Sequence, residues 1–556
     1  MSKKIANMNS KDKSFYLNIL KNNPNNYEAI LKLGLIDVKE KNFFPAKERF
    51  KKLIKINIDR YEGHLNLSNI YSLEGDVLKA NKLLEEFLIN IEENIEIINA
   101  VAINFLNLKK YNDLEKFINK FINKHNSYIL YYLKGHILAR AERIHESEKF
   151  FKKSISINAN FWQGYESLLK QYEKQSRLID LKNLVNSAKQ LFKNNITLLY
   201  YEALYFFRVK DYSRSLNILN NKEIYHEFLS TQNKVILADY FHLLSRVNEK
   251  LGFYNESYDF AIKRNTTTLS FKENKKFNKE LILDTITVYK NFFDKKNKIQ
   301  SKKKFTGINH SNLAFLIGFP RSGTTLLDTI LRSHSQTLVL EERPYLLDVR
   351  HNFFKKNNLI DILQINQNDK VKMQEEYFNS FDYKDDKVII DKYPLNLIEL
   401  GFIKTIFPES KIILAIRHPL DCIISCILTS FKMNDGMVNF ENIHTTSFFY
   451  NECFELLYKY FYFYDIDYHI VKYENVVKDF KGEISTLIKF LNLNFEENIN
   501  NFHITAKNRE KINTPSYRQV VQPIYSTSIG RYKNFSEVNS IKKLIQPWIN
   551  HFSYKI

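Results

Sequence analysis

Tyr27, Leu31, Leu33, Gly34, Ala46 and Phe50 align with Tyr61, Leu65, Leu67, Ser68, Ala80 and Leu84 at an offset of 34 residues. The beat returns in segments 128–158, 198–219 and 247–265. Each has a large apolar residue, a small residue where one helix crosses its neighbour, and a small residue in a second helix, with Ser147 and Ser215 in the place of Ala46 and Ala80. A unit of this length is a helical hairpin that cannot bury its own apolar face, so successive copies must stack. Several copies lack the glycine, and residues 93–125 fit the register only loosely.

These segments resemble tetratricopeptide repeats. The resemblance implies an α-solenoid over residues 1–300, whose concave surface can hold a peptide or protein partner; a rigid spacer or a dimerisation arm is equally compatible. Strand-like runs such as FLIGF, KVIID and KIILAI appear only after residue 314, and a chain of 556 residues exceeds one ordinary core. The expected architecture is therefore α + α/β, with a helical domain at 1–300 and a parallel-sheet domain at 301–556.

Lys and Arg number 82 against 62 Asp and Glu, for a net charge of +20. Anionic partners are favoured, yet the lysines are spread over helix faces and no nucleic-acid motif accompanies them, so a nucleic-acid partner is not expected. Three cysteines, Cys422, Cys426 and Cys453, are too few for a disulfide scaffold and fit a reducing compartment. Cys422 and Cys426 lie four residues apart without a second metal-ligating pair, so they read as core and no metal is expected. No apolar run reaches membrane-spanning length and no leader-like h-region opens the chain, which predicts a cytoplasmic protein.

The chemistry concentrates in FLIGFPRSGTTLLDTILRSH, residues 315–334. An apolar strand, a glycine turn and an apolar-periodic helix aim backbone N–H groups at an anion. The pattern GxxxxGK[ST] would need lysine where Thr324 stands. Arg321 supplies positive charge from the loop instead, with hydroxyls from Thr324 and Thr325. Downstream, KIILAIRHPLDCIISC delivers Arg417 at a strand end, Pro419 starts a helix, and Ser425 lies within its first two turns. Ligands bind beyond the carboxyl ends of such strands, so Arg417 and Ser425 can meet a second anionic group.

With DKYPLN (391–396), VKYENVVKD (471–479) and TPSYRQVVQPIYSTSIGRYKNF (514–535) in order behind them, these motifs make residues 313–550 resemble sulfotransferases that use 3′-phosphoadenylyl sulfate, PAPS. Within that family the likeness is to bacterial tetratricopeptide fusions and to tyrosylprotein sulfotransferases. It implies that Arg321, Ser322, Gly323, Thr324 and Thr325 hold the 5′-phosphosulfate, Arg417 and Ser425 the 3′-phosphate, and Tyr473 the nucleotide. Ser528, Arg531 and Lys533 resemble the late loop that closes over the donor. In LVLEERPYL the resemblance makes Glu342 the base for an acceptor hydroxyl, Lys392 the charge at the leaving oxygen, and Ser528 their companion at the reacting centre. Leu340 replaces the family's glycine before the glutamate pair, and His418 departs from the acidic or polar residue expected beside Arg417. The acceptor is a hydroxyl on a peptide, a saccharide or a small molecule. A magnesium-nucleotide kinase or NTPase, with Asp391 as metal ligand, and a non-catalytic repeat scaffold are the alternatives.

Overall fold

The computed structural model describes residues 10–91, 93–294, 312–354, 365–382, 386–464, 466–507 and 520–555. The chain divides into two compact units, Met1–Val209 and Lys210–Ile556. The boundary expected at residue 300 lies outside the described residues.

The first unit consists of paired helices. First helices begin at Tyr27, Tyr61, Ile95, Tyr128, Trp162 and Ile196, each 33 or 34 residues after the last. The loosely matching stretch is a full member, with helices Ile95–Asn107 and Tyr111–Phe121. Its register was obscured because side-chain size is exchanged between partners. Gly34 and Gly135 face Phe50 and Phe151, which stand 2.5 and 2.6 Å from where a Cβ would be. At the equivalent places the pairs are Ser68 with Leu84 and Ala102 with Ile118, all buried. A larger residue on the first helix goes with a smaller one on the second, so packing volume is kept.

Each hairpin turns through a left-handed residue, and only one is glycine: Lys41 (φ 62°), Gly75 (φ 90°), Lys109 (φ 58°), Glu142 (φ 61°) and Ser176 (φ 59°). The N–H one residue later reaches back to the first helix, as from Asn42 to Asp37 O at 2.8 Å and from Lys110 to Phe105 O at 3.0 Å. These bonds satisfy carbonyls that the helix end leaves open.

The second unit joins further helices, among them Lys234–Leu251, Tyr254–Leu269 and Lys279–Asp294, to an α/β core. Five strands, β1 (Leu313–Gly318), β2 (Thr337–Glu341), β3 (Val388–Lys392), β4 (Lys411–Ile416) and β5 (Tyr468–Lys472), form a sheet in the order β2-β3-β1-β4-β5. Every pairing is parallel. Both faces are covered, which is why the strands read as continuous apolar runs. Phe315, Ile317, Ile389 and Leu414 enter one core, while Ala314, Leu316, Ile390 and Ile413 enter another with Leu327 and Ile330 of the helix after β1. Strand order reverses at β1, so a crevice opens at its carboxyl end. Among the described residues no helix is long and apolar enough to cross a membrane.

Candidate active site

β1 ends at Gly318, and the loop leads into the helix Thr324–Arg332. A Cβ on Gly318 would stand 2.5 Å from the Ala415 carbonyl oxygen and 2.7 Å from Ser322 Oγ, so only glycine lets the loop fold against β4. Gly323 caps the helix with φ 103°, and Arg321 takes φ 72° although it carries a side chain. The loop thus stores backbone strain beside a helix N-terminus, where free N–H groups and the dipole favour an anion.

β4 delivers Arg417 just past its end, and the helix Pro419–Leu428 carries Ser425. The two anion motifs meet directly: Arg321 Nε donates to Ser425 Oγ at 3.0 Å, and Arg417 Nη1 donates to the Arg321 carbonyl at 3.4 Å. Arg417 also donates to the Ser528 carbonyl and lies 5.1 Å from the Tyr473 ring centre. Asp421 sits 3.7 Å from Arg417 and accepts the N–H groups of Gly530 (2.8 Å) and Tyr532 (2.9 Å), which ties down the late loop. Burial pushes the Arg321 guanidinium down to about 10, with Arg417 and Arg531 adding repulsion. An enclosed cluster of arginines of this kind is what an anionic ligand would relieve.

Arg321, Gly323, Thr324, Thr325, Arg417, Ser425, Tyr473, Ser528 and Arg531 line one cleft, together with Gln522 and Tyr525. Its empty space, counted out to open solvent, is about 680 Å³. Ser322 is buried beneath the loop, its Oγ without a hydrogen-bond partner among the described residues, and so is Arg417 Nε. Orphaned donors beside an arginine cluster fit a ligand with more than one phosphate. Lys533 is exposed and is not among the lining residues. Residues 514–519 of the late motif lie outside the described residues.

Glu342 and Lys392 form a second group, at the ends of β2 and β3. Lys392 is fully buried, and its Nζ stands 2.6 Å from Glu342 Oε1 and 3.7 Å from Asp328 Oδ2. Glu342 lies in the left-handed region at φ 46° and donates its N–H to the Lys392 carbonyl at 2.9 Å. Asp328 stands on the loop helix one turn after Thr324 and also holds Arg332 at 3.0 Å. On the opposite sheet face, Asp391 accepts from Tyr377 OH at 2.8 Å, and burial pushes it up to about 7. It faces away from the side that Lys392 and the loop helix share.

Sequence reasoning did not single out the acids that set these basic groups. Asp421 carried a signal, four residues beyond Arg417 on a helix; Asp328 carried only its place one turn into the loop helix. His334 is absorbed locally, with Nε2 2.8 Å from the Asn494 carbonyl and Nδ1 accepting the Gln336 N–H at 3.0 Å. His418 stacks on Tyr532 at 4.3 Å, and burial lowers its affinity for a proton.

Residues 314–497 match the model of the sulfotransferase family. An uncharacterized protein of Aquifex aeolicus (strain VF5) is 23% identical over 340 residues, covering 56% of this chain and 43% of that protein. The chain therefore spans less than half the length of that curated relative. Among solved structures, a tetratricopeptide repeat protein from Parabacteroides merdae is 14% identical, covering 45% of this chain and 96% of its own (TM-score 0.35). The sulfotransferase domain from the curacin biosynthetic pathway is 17% identical, covering 44% and 98% (TM-score 0.33). The α/β part of the chain carries a sulfotransferase-family domain, and the helical repeats fit the tetratricopeptide pattern.

Proposed function

We propose that this protein transfers a sulfuryl group from PAPS to an acceptor hydroxyl. The observation that carries the reading is the meeting of Arg321 and Ser425 across 3.0 Å, in a cleft that Arg417 and Arg531 also line. Two anion seats side by side suit a nucleotide phosphorylated at both ends better than a triphosphate on magnesium. When bound, PAPS supplies an activated sulfuryl group on a phosphate leaving group.

The protein's part is positioning and charge. Arg321 and the N–H groups from Gly323 to Thr325 hold the 5′ end, and Arg417, Ser425 and Arg531 the 3′-phosphate, while Tyr473 and Ser528 shape the nucleotide wall. Glu342 takes the proton of the acceptor hydroxyl as that oxygen bonds to sulfur. Lys392 turns its ammonium to the oxygen that departs, which frees Glu342 from its ion pair. The Thr324 position then needs no lysine, because Lys392 brings the charge from β3.

The acceptor class follows from the same chemistry: a hydroxyl whose proton Glu342 can take, with a peptide tyrosine among the candidates. A net charge of +20 favours an acidic acceptor, and the repeat unit offers a surface for a protein partner. A reducing, cytoplasmic setting fits the three buried thiols.

Thermal stabilisation by adenosine 3′,5′-bisphosphate without magnesium is the expected result. Stabilisation by magnesium-ATP alone would overturn the reading in favour of a kinase or NTPase. Incubation with labelled PAPS and a cell extract then identifies the fraction that gains label.

A further inference from the structure

Arg531 is gripped from two directions. Its backbone is fixed on both sides by Asp421, which accepts the N–H groups of Gly530 and Tyr532. Its side chain is fixed by Glu249, whose Oε1 takes the Nε–H at 2.5 Å. Glu249 lies 282 residues away in sequence, in the last turn of the helix Lys234–Leu251. Both partners are largely withdrawn from solvent, with side chains 23% and 19% exposed.

A guanidinium presents its five N–H donors in a rigid fork. With Nε committed to Glu249, the Nη1 and Nη2 donors remain, on a side chain that lines the cleft. A carboxylate behind an arginine in this way aims it and lowers the entropy lost when an oxyanion binds.

The helix that carries Glu249 is anchored to the same region. In the adjoining helix, Tyr254 packs on Phe535 at 5.4 Å and Arg264 Nη1 donates to the Leu428 carbonyl at 3.0 Å, at the end of the helix that bears Ser425. Asn265 Nδ2 donates to the Phe440 and Glu441 carbonyls at 3.0 and 3.2 Å.

We propose that Glu249, from the helical segment that precedes the sheet, is a positioning residue for the donor site: it aims Arg531 at the 3′-phosphate of the nucleotide. The inference rests on the donor reading above. It makes the helix Lys234–Leu251 part of the binding machinery.

The test compares adenosine 3′,5′-bisphosphate with AMP, which lacks the 3′-phosphate, by calorimetry on the full chain. Glu249→Gln is expected to weaken the bisphosphate about tenfold and leave AMP unchanged. Arg531→Gln is expected to lose at least as much, and the double variant no more than Arg531→Gln alone. Equal weakening of both nucleotides would assign Glu249 a role in folding only and overturn the proposal, as would unchanged or tighter bisphosphate binding. A wild-type protein that does not prefer the bisphosphate over AMP would overturn the donor reading itself, and this inference with it.

Discussion

Lys392 and Glu342 hold each other twice, through the 2.6 Å ion pair of their side chains and the 2.9 Å bond from the Glu342 N–H to the Lys392 carbonyl. The second bond ends β2 against β3, at a residue in the left-handed conformation. In the proposed mechanism the ion pair occupies the Glu342 carboxylate, so proton transfer waits until Lys392 has another anion to serve. Glu342→Gln should cut transfer by about 10²–10⁴-fold while bisphosphate binding stays within about twofold. Wild-type turnover in that variant would remove Glu342 from the reaction.

Asp391 gives a pH signature. Its native value of about 7 lies above the ordinary carboxyl value of 3.8. The native state therefore keeps a proton that the unfolded chain releases, and the contribution to stability is full below about 4 and is lost as pH rises towards about 7. Asp391→Asn still offers Tyr377 an acceptor and removes that loss. Denaturation midpoints of the two proteins should diverge between pH 4 and 7 in favour of the variant; parallel curves would contradict the assignment.

The hairpin turns of the first unit predict easy gains. Lys109 and Glu142 are exposed and left-handed, a conformation that costs a side-chain-bearing residue about 1–2 kcal/mol. Replacing either by glycine should add about 0.5–1 kcal/mol after the greater freedom of the unfolded chain is counted. Urea unfolding measures it, and a loss of stability would show that the turn is unstrained.

Size exchange between paired helices predicts a coupled variant. Gly135→Ala alone places a Cβ 2.6 Å from Phe151 and should cost about 1–3 kcal/mol. Adding Phe151→Leu recreates the small-with-medium pairing of Ser68 with Leu84, so the double variant should be more stable than Gly135→Ala. Strict additivity would mean the two positions do not share one space.

Much of the cleft's lining was legible as a candidate site because glycine loops and strand-end arginines carry local signatures. FPRSGTT and IRHPLDCIIS announce their geometry, and apolar runs buried on both faces announce a parallel sheet. The acids were not legible. Glu249 meets Arg531 only through folding, and Asp328 reads as an ordinary helix residue until Lys392 arrives from β3. The third repeat was hidden for a related reason: Ala102 replaces a glycine that its partner Ile118 no longer requires.

Arg264 and Asn265 predict where the chain can be cut. They supply donors to carbonyls at Ile427, Leu428, Phe440 and Glu441. A fragment of residues 210–556 should unfold cooperatively and bind the bisphosphate. One of residues 301–556 leaves those carbonyls unmet and should do neither; a native-like response from the shorter fragment would refute the dependence.

The sheet order also bears on how such a molecule can change. β1 separates Arg417 and Tyr473, which leave β4 and β5, from Glu342 and Lys392, which leave β2 and β3. The two flanks are encoded by separate stretches of sequence, 337–392 and 411–472, so substitutions can accumulate on one while the other stays as it is.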